Sequence, residues 1–287
     1  MRLLAFGDSL TAGYHSQGRA FAPWAPALCR MLGVDAIDHI GMSGFTSAQL
    51  LKAVDETSVP DVVPIAWPGL RTKMKEHRYD VVLIMCGTND LDNSSTEDIV
   101  NNIAKLHSIA HSLGARTIAL TIPESKAASN IQWLRQARNN ANAELSKWAL
   151  SQSANKTVLV DAAKIVPFDK PSVDAGLWEP DGLHWSANGY ATFARGLAPM
   201  IRDFVLQDCA LHSPHDVPLR LGALVRVCGL ERATHYNGKT GTVRRMPEAT
   251  EYADKNDADV RLGVKLDGAL EGMPLLSVRR TNLECLL

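Results

Sequence analysis

The chain has no C-x-x-C pair, no surplus of charge of either sign and no apolar run long enough to cross a bilayer. Each absence removes a class of function. Its five cysteines, Cys29, Cys86, Cys209, Cys228 and Cys285, are scattered and odd in number, which argues against a disulfide framework or a zinc knuckle and fits a reducing compartment. Thirty basic against thirty-one acidic side chains make no field to hold a polyanion, so wholesale binding of nucleic acid or of an anionic membrane is disfavoured. Leu3-Leu4-Ala5-Phe6 is too short for a signal-peptide core, and nowhere do about eighteen apolar residues follow one another. A soluble, cytoplasmic protein is the expectation. No G-x-G-x-x-G or G-x-x-x-x-G-K phosphate loop is present, and Ser108-Ile109-Ala110 between His107 and His111 lacks the glutamate of H-E-x-x-H. Those two histidines are expected to face solvent, and neither a nucleotide cofactor nor a metal is expected.

What is present, up to about residue 207, is an alternation of short apolar runs with segments of helical period, the pattern of an α/β parallel sheet covered by helices on both faces. Leu3–Phe6, Val81–Met85, Thr117–Thr121 and Thr157–Val160 read as strands. Ser94-Ser95-Thr96-Glu97 offers a capping box for a helix that carries Ile99, Ile103, Leu106, Ala110 and Leu113 on one face and can end at Gly114. Further helices are expected from about Ile131 to Leu150 and from about Asn188 to Leu206. Glu56–Leu70 and Ile165–Pro180 hold three prolines each and resist assignment; loops of that length in a compact fold usually serve function.

Three constellations carry chemistry. Phe6-Gly7-Asp8-Ser9-Leu10-Thr11-Ala12-Gly13-Tyr14 runs from an apolar strand through a glycine into a serine that can sit at the start of the next helix. Gly87-Thr88-Asn89-Asp90 follows the strand Val81–Met85 in the same way, so its asparagine can offer an N–H₂ at the same sheet edge; Ser43-Gly44 adds a glycine N–H that a carbonyl can approach. Asp181-Gly182-Leu183-His184 brings a carboxylate and an imidazole within one turn, the pair that a serine hydroxyl needs to become a nucleophile. Each of these, taken alone, also reads as an ordinary cap or turn.

Together and in this order, Phe6-Gly7-Asp8-Ser9-Leu10, Ser43-Gly44, Gly87-Thr88-Asn89-Asp90 and Asp181-Gly182-Leu183-His184 resemble the four sequence blocks of the SGNH-hydrolase, or GDSL-type esterase/lipase, superfamily over about the first 205 residues. That resemblance implies a three-layer α/β/α, flavodoxin-like sheet and a carboxylic ester hydrolase. It also implies roles: Ser9 as nucleophile, His184 as base, Asp181 orienting it, and an oxyanion hole made by the N–H groups of Ser9 and Gly44 with the Asn89 side chain. The expected substrate is a small-molecule or lipid ester. The same acyl-enzyme discharged by an alcohol would make an acyltransferase, and a catalytically decayed adaptor is the contrasting reading. No G-x-S-x-G elbow points to the larger α/β-hydrolase fold. Trp185 reads equally as a wall of the acyl pocket and as core, while Trp24, Trp67 and Trp178 hint at an apolar wall.

After Leu206 the texture changes. Residues 208–218 read as a linker between a catalytic domain at 1–207 and a small all-β domain at 219–287, in which Leu224–Val227, Thr240–Arg244, Val260–Leu266 and Leu275–Val278 are strand candidates and Asn237-Gly238 and Asp267-Gly268 turns. Val225-Arg226-Val227 through Val243 resembles the opening of an SH3-like or KOW-like barrel. Residues 208–287 hold eleven Lys+Arg and eleven Asp+Glu, so the domain lacks a nucleic-acid reader's basic surplus and a protein partner is the better expectation.

Overall fold

All four expected strands form, and a fifth joins them. The computed structural model, which describes residues 1–211, 219–245, 252–253, 260–269 and 273–285, contains a parallel sheet of β1 (Arg2–Gly7), β2 (Ala36–Gly41), β3 (Val81–Met85), β4 (Arg116–Leu120) and β5 (Thr157–Val160). Its order is 2-1-3-4-5, the flavodoxin-like arrangement, in which the order reverses between β1 and β3. β1 and β3 are covered on both faces, which is why they read as unbroken apolar runs. β2 lies at an edge, and its half-buried Asp38 and His39 interrupt any such run.

Helices α1 (Ser9–Ala12), α2 (Ala25–Leu32), α3 (Ser47–Lys52), α4 (Leu70–Glu76), α5 (Thr96–Ser112), α6 (Lys126–Asn130), α7 (Gln132–Ser151), α8 (Lys170–Asp174) and α9 (Ala187–Leu211) fill the connections. α5 is capped one residue later than the sequence box suggests, by Ser95 accepting from Asp98 N at 3.1 Å. Its Ile99, Ile103, Leu106 and Ala110 join Ala141 and Leu145 of α7 against Leu4, Phe6, Val82 and Ile84 on one sheet face. Leu3, Ala5, Val81 and Leu83 alternate to the other face. Trp24, the N-cap residue of α2, and Phe193 of α9 are buried rings in edge contact at 5.5 Å. Each such fully buried side chain contributes roughly 1.5–3 kcal/mol of transfer free energy.

The chain divides into two compact units, Met1–Val205 and Leu206–Leu287. α9 runs to Leu211, four residues into the stretch read as a linker. Asp208-Cys209-Ala210-Leu211 holds neither proline nor glycine, so nothing in it breaks a helix. The remainder of that stretch, 212–218, lies outside the described residues.

In the second unit β6 (Leu224–Val227), β7 (Thr240–Arg245), β8 (Arg261–Leu266), β9 (Leu276–Arg279) and β10 (Leu283–Cys285) form an antiparallel sheet in the order 9-8-7-6-10. It has its own core, including Leu219, Val225, Val227, Val243, Leu262 and Val264. Gly238 and Gly268 are both left-handed, at φ 84° and 78°, as their Asn-Gly and Asp-Gly turns require. Among the described residues no helix is long and apolar enough to cross a membrane.

Candidate active site

Three strands deliver their motifs to one sheet edge. Gly7 ends β1 so close to β3 that a Cβ on it would stand 1.9 Å from the Met85 carbonyl oxygen, so only glycine fits there. Asp8 follows, and it rather than Ser9 caps α1: its side chain accepts from Leu10 N at 3.0 Å. Ser9 therefore takes the first helical position, where no carbonyl of the helix can accept its N–H. A helix of four residues has little macrodipole, so what it offers an anion is that N–H.

The Ser9 hydroxyl is turned to the loop that precedes α9. Ser9 Oγ lies 2.9 Å from His184 Nε2, and His184 Nδ1 lies 2.8 Å from Asp181 Oδ2. Asp181 Oδ1 also accepts from Leu183 N at 2.8 Å and from His184 N at 3.0 Å. Partial burial pushes this carboxyl up, but the bonds from the His184 ring and the two backbone N–H groups outweigh it and hold Asp181 below the usual carboxylate range. An ionised carboxylate can only accept, so the proton of the neutral imidazole sits on Nδ1 and Nε2 is left to accept from Ser9. The ring is also held from the side. Tyr14 meets it at 4.3 Å between centroids, and Tyr190 Oη donates to the Tyr14 carbonyl at 2.8 Å.

The proposed oxyanion donors sit on two neighbouring turns. Gly44 is left-handed at φ 77°, in a turn that Phe45 N closes onto the Met42 carbonyl at 3.1 Å. Asn89 lies on a short 3₁₀ turn, Thr88–Asp90, after Gly87. Its Nδ2 donates to the Phe45 carbonyl at 3.0 Å, which fixes the amide and leaves a second N–H for another acceptor. Asp90 ties the same two turns together, accepting from Ser47 N at 2.9 Å and from Ser47 Oγ at 2.6 Å.

The chain matches the GDSL-like Lipase/Acylhydrolase family over residues 5–192. It belongs to that family. Among solved structures, the lipase/acylhydrolase from Enterococcus faecalis is 20% identical with a TM-score of 0.51, covering 70% of this chain and 95% of its own. TesA is 20% identical with a TM-score of 0.53 over 71% of this chain and 99% of its own. A carbohydrate esterase family 3 protein from Talaromyces cellulolyticus is 15% identical with a TM-score of 0.52, over 72% and 98%. At those identities the likeness is one of fold. No curated protein matches the chain in sequence.

Two buried carboxylates lie behind the site of this GDSL-family chain. Burial pushes Asp90 upward against the pull of its Ser47 bonds. Asp8, completely buried, is pushed up to about 7; burial dominates, the Leu10 N–H opposes it and the charge of Asp90 adds to it. In the unfolded chain the Asp8 carboxyl ionises near 3.8, so between that pH and about 7 the folded protein holds a proton that the unfolded chain has lost. The stability that this proton contributes is therefore fully present below this window and is lost as pH rises through it, at up to about 1.4 kcal/mol per pH unit. Asp8→Asn keeps an acceptor for Leu10 N–H and cannot ionise. It is expected to melt above the wild type at about pH 8 and close to it at about pH 4, in thermal melts followed across pH. A wild-type Tm that holds level with the variant across that range would give Asp8 an ordinary carboxylate's titration.

The structure decides between the two readings of Trp185 and changes several other expectations. Trp185 is wholly buried and stacks on Phe193 at 4.7 Å, so of its two readings core holds. Trp24 and Trp178 are likewise buried, the latter donating Nε1 to the Pro167 carbonyl at 3.0 Å, and of the three loop tryptophans only Trp67 is partly open. His107 does not face solvent. It is buried against the Trp148 ring at 4.8 Å, and burial, with His111 beside it, pushes its pKa down to about 3. His111 is half-buried and lies 2.9 Å from Thr117 Oγ1. The helical face carrying both turns toward the sheet, so neutral imidazoles fill space there.

Proposed function

We propose that this protein hydrolyses carboxylic esters through an acyl-Ser9 intermediate. The observation that carries the reading is the continuous run from Ser9 Oγ to the His184 imidazole to the Asp181 carboxylate, at 2.9 and 2.8 Å. As Ser9 Oγ attacks the ester carbonyl, its proton passes to Nε2 and the imidazolium is steadied by Asp181. The carbonyl oxygen becomes an oxyanion that the Ser9 N–H, the Gly44 N–H and the free N–H of Asn89 can meet. Collapse of the tetrahedral adduct breaks the bond to the alkoxy group, which leaves with the Nε2 proton. Water, deprotonated by the same nitrogen, then releases the acid and restores Ser9. Two of the fold neighbours are named a lipase/acylhydrolase and a carbohydrate esterase; a carboxylic ester is the bond proposed here.

The test is a fluorophosphonate probe, with the labelled peptide found by mass spectrometry, beside a panel of acyl esters of graded chain length. Labelling of Ser9 together with release of free acid supports the reading; no labelling and no turnover across the panel overturns it. Alkyl ester formed in preference to acid when an alcohol is added makes the protein an acyltransferase instead.

We assign the tail as an accessory, SH3-like module that takes a protein partner. Every group given a catalytic role precedes Leu206, and the first unit has its own sheet and core. A chain ending at Gln207 is expected to keep its circular dichroism and to hydrolyse a small soluble ester within a few-fold of the full-length rate. Loss of turnover from a well-folded shortened chain would make the tail part of the active site.

A further inference from the structure

The proline-rich loop between α3 and α4 ends against the Gly44 turn, and one side chain fastens it there. Asp61 is 7% exposed, and its carboxylate receives four neutral N–H donors. Oδ2 accepts from Ser43 N at 3.0 Å and from Trp67 Nε1 at 3.2 Å; Oδ1 accepts from Val63 N and Ile65 N, each at 3.0 Å. The backbone completes the attachment, since Asp61 N donates to the Ile65 carbonyl at 2.9 Å and Val62 N to the Ser43 carbonyl at 3.3 Å. Both peptide groups flanking Ser43 are thereby held, one by its N–H and the other by its C=O. In a planar trans peptide the C=O and N–H point in opposite directions. With the Ser43 carbonyl turned to Val62, the Gly44 N–H of that same peptide is turned away from the loop. The Val62 side chain covers the Gly44 Cα, where a Cβ would stand 2.7 Å from Val62 Cγ1. At the far end of the turn, Asp90 holds Ser47.

We propose that Asp61 is a positioning residue of the acyl-transfer site, fixing the direction of the Gly44 N–H through Ser43. The proposal rests on Gly44 N–H being an oxyanion donor. A carboxylate suits the place because it accepts at both oxygens and donates from neither. An amide at position 61 would turn its N–H₂ toward two of the four donors and release either Ser43 and Trp67 or Val63 and Ile65.

Asp61→Asn is therefore expected to lower kcat by about 10- to 100-fold while KM stays within a few-fold, because a misdirected donor is felt only where the oxyanion exists. An aryl boronic acid bonds to Ser9 as a tetrahedral adduct with an oxygen in the hole, so its affinity should fall in parallel with kcat. Trp67 emission shifts where the amide N–H₂ faces Ser43 and Trp67; where it does not shift, Asp61→Ala, which takes the acceptor from all four donors, is the variant whose kcat and boronate affinity decide. A role in stability alone would lower Tm and leave kcat and boronate affinity of the folded protein where they were. Folded Asp61→Asn whose emission has shifted, or otherwise folded Asp61→Ala, with wild-type kcat and boronate affinity overturns the proposal. Should that variant fail to fold, Val62→Pro removes the N–H that holds the Ser43 carbonyl and leaves the carboxylate intact; kcat should fall there as well, and an unchanged kcat is equally fatal. Ser9→Ala and Asn89→Ala run alongside separate the levels. If they abolish turnover while the Asp61 variant keeps it, only the role of Asp61 fails; if they too keep it, the reading of the whole site fails.

Discussion

Ser9→Ala is expected to lower kcat by about 10⁴–10⁶ on any ester the protein turns over, and to leave the fold in place. The hydroxyl it deletes meets His184 Nε2, while α1 keeps its Asp8 cap and the residue's own N–H remains. On the proposed mechanism the variant keeps the backbone donors of the oxyanion hole and loses the nucleophile, so a residual rate above water of about 10³–10⁴ is expected from binding and the hole. His184→Ala should be about as severe, with some loss of stability because the imidazole also supports the Tyr14 ring. In the proposed mechanism serine and histidine act on one proton, so the double variant should be no slower than either single one; losses that multiply would mean two independent catalytic devices. Circular dichroism and Tm establish that Ser9→Ala is folded, and a fluorophosphonate reports the nucleophile directly. Undiminished labelling of folded Ser9→Ala would remove Ser9 from the mechanism.

The residues on which this prediction stands were legible in the sequence as separate short motifs, each with an ordinary reading as a cap or turn. Their convergence depends on strand order. Because β1 lies between β2 and β3, the Ser9, Gly44 and Asn89 turns leave adjacent strands at one edge, and the Asp181–His184 loop reaches that edge from beyond β5. Local periodicity carries the strands and the long helices, since burial on one or both faces is written into apolar spacing. It misses β2, whose edge position tolerates Asp38 and His39, and it misplaces His107, whose polarity hides a buried position. Asp61 was illegible for another reason. An aspartate between Pro60 and Pro64 reads as a turn residue, and its decisive partner, Ser43, lies 18 residues away on a different element. Only the folded chain brings the two together. Trp185 shows the converse limit: adjacency to His184 in sequence leaves pocket and core equally open, and only the fold decides, stacking its side chain into the core.

Asn89→Ala should lower kcat by about 10²–10³ and leave KM nearly unchanged, the signature of a donor that meets charge present only in the transition state. The geometry specifies which part of the side chain does this. One Nδ2 proton is committed to the Phe45 carbonyl at 3.0 Å, and that bond orients the amide so that the other proton is free for an oxyanion. The commitment also predicts a cost in stability. Alanine leaves the Phe45 carbonyl without its donor, a loss on the order of 1–3 kcal/mol if water cannot replace it. Rate and stability therefore need to be measured on the same samples, with kcat taken below the melting transition. Boronate affinity should fall with kcat in this variant, while affinity for an uncharged, non-hydrolysable ester analogue should hold. A folded Asn89→Ala with full kcat and full boronate affinity would take the side chain out of the oxyanion hole. Gly87–Asp90 would then be a turn whose work is to hold the Gly44 turn in place through Phe45 and Ser47, and the oxyanion would be left to the backbone N–H groups of Ser9 and Gly44.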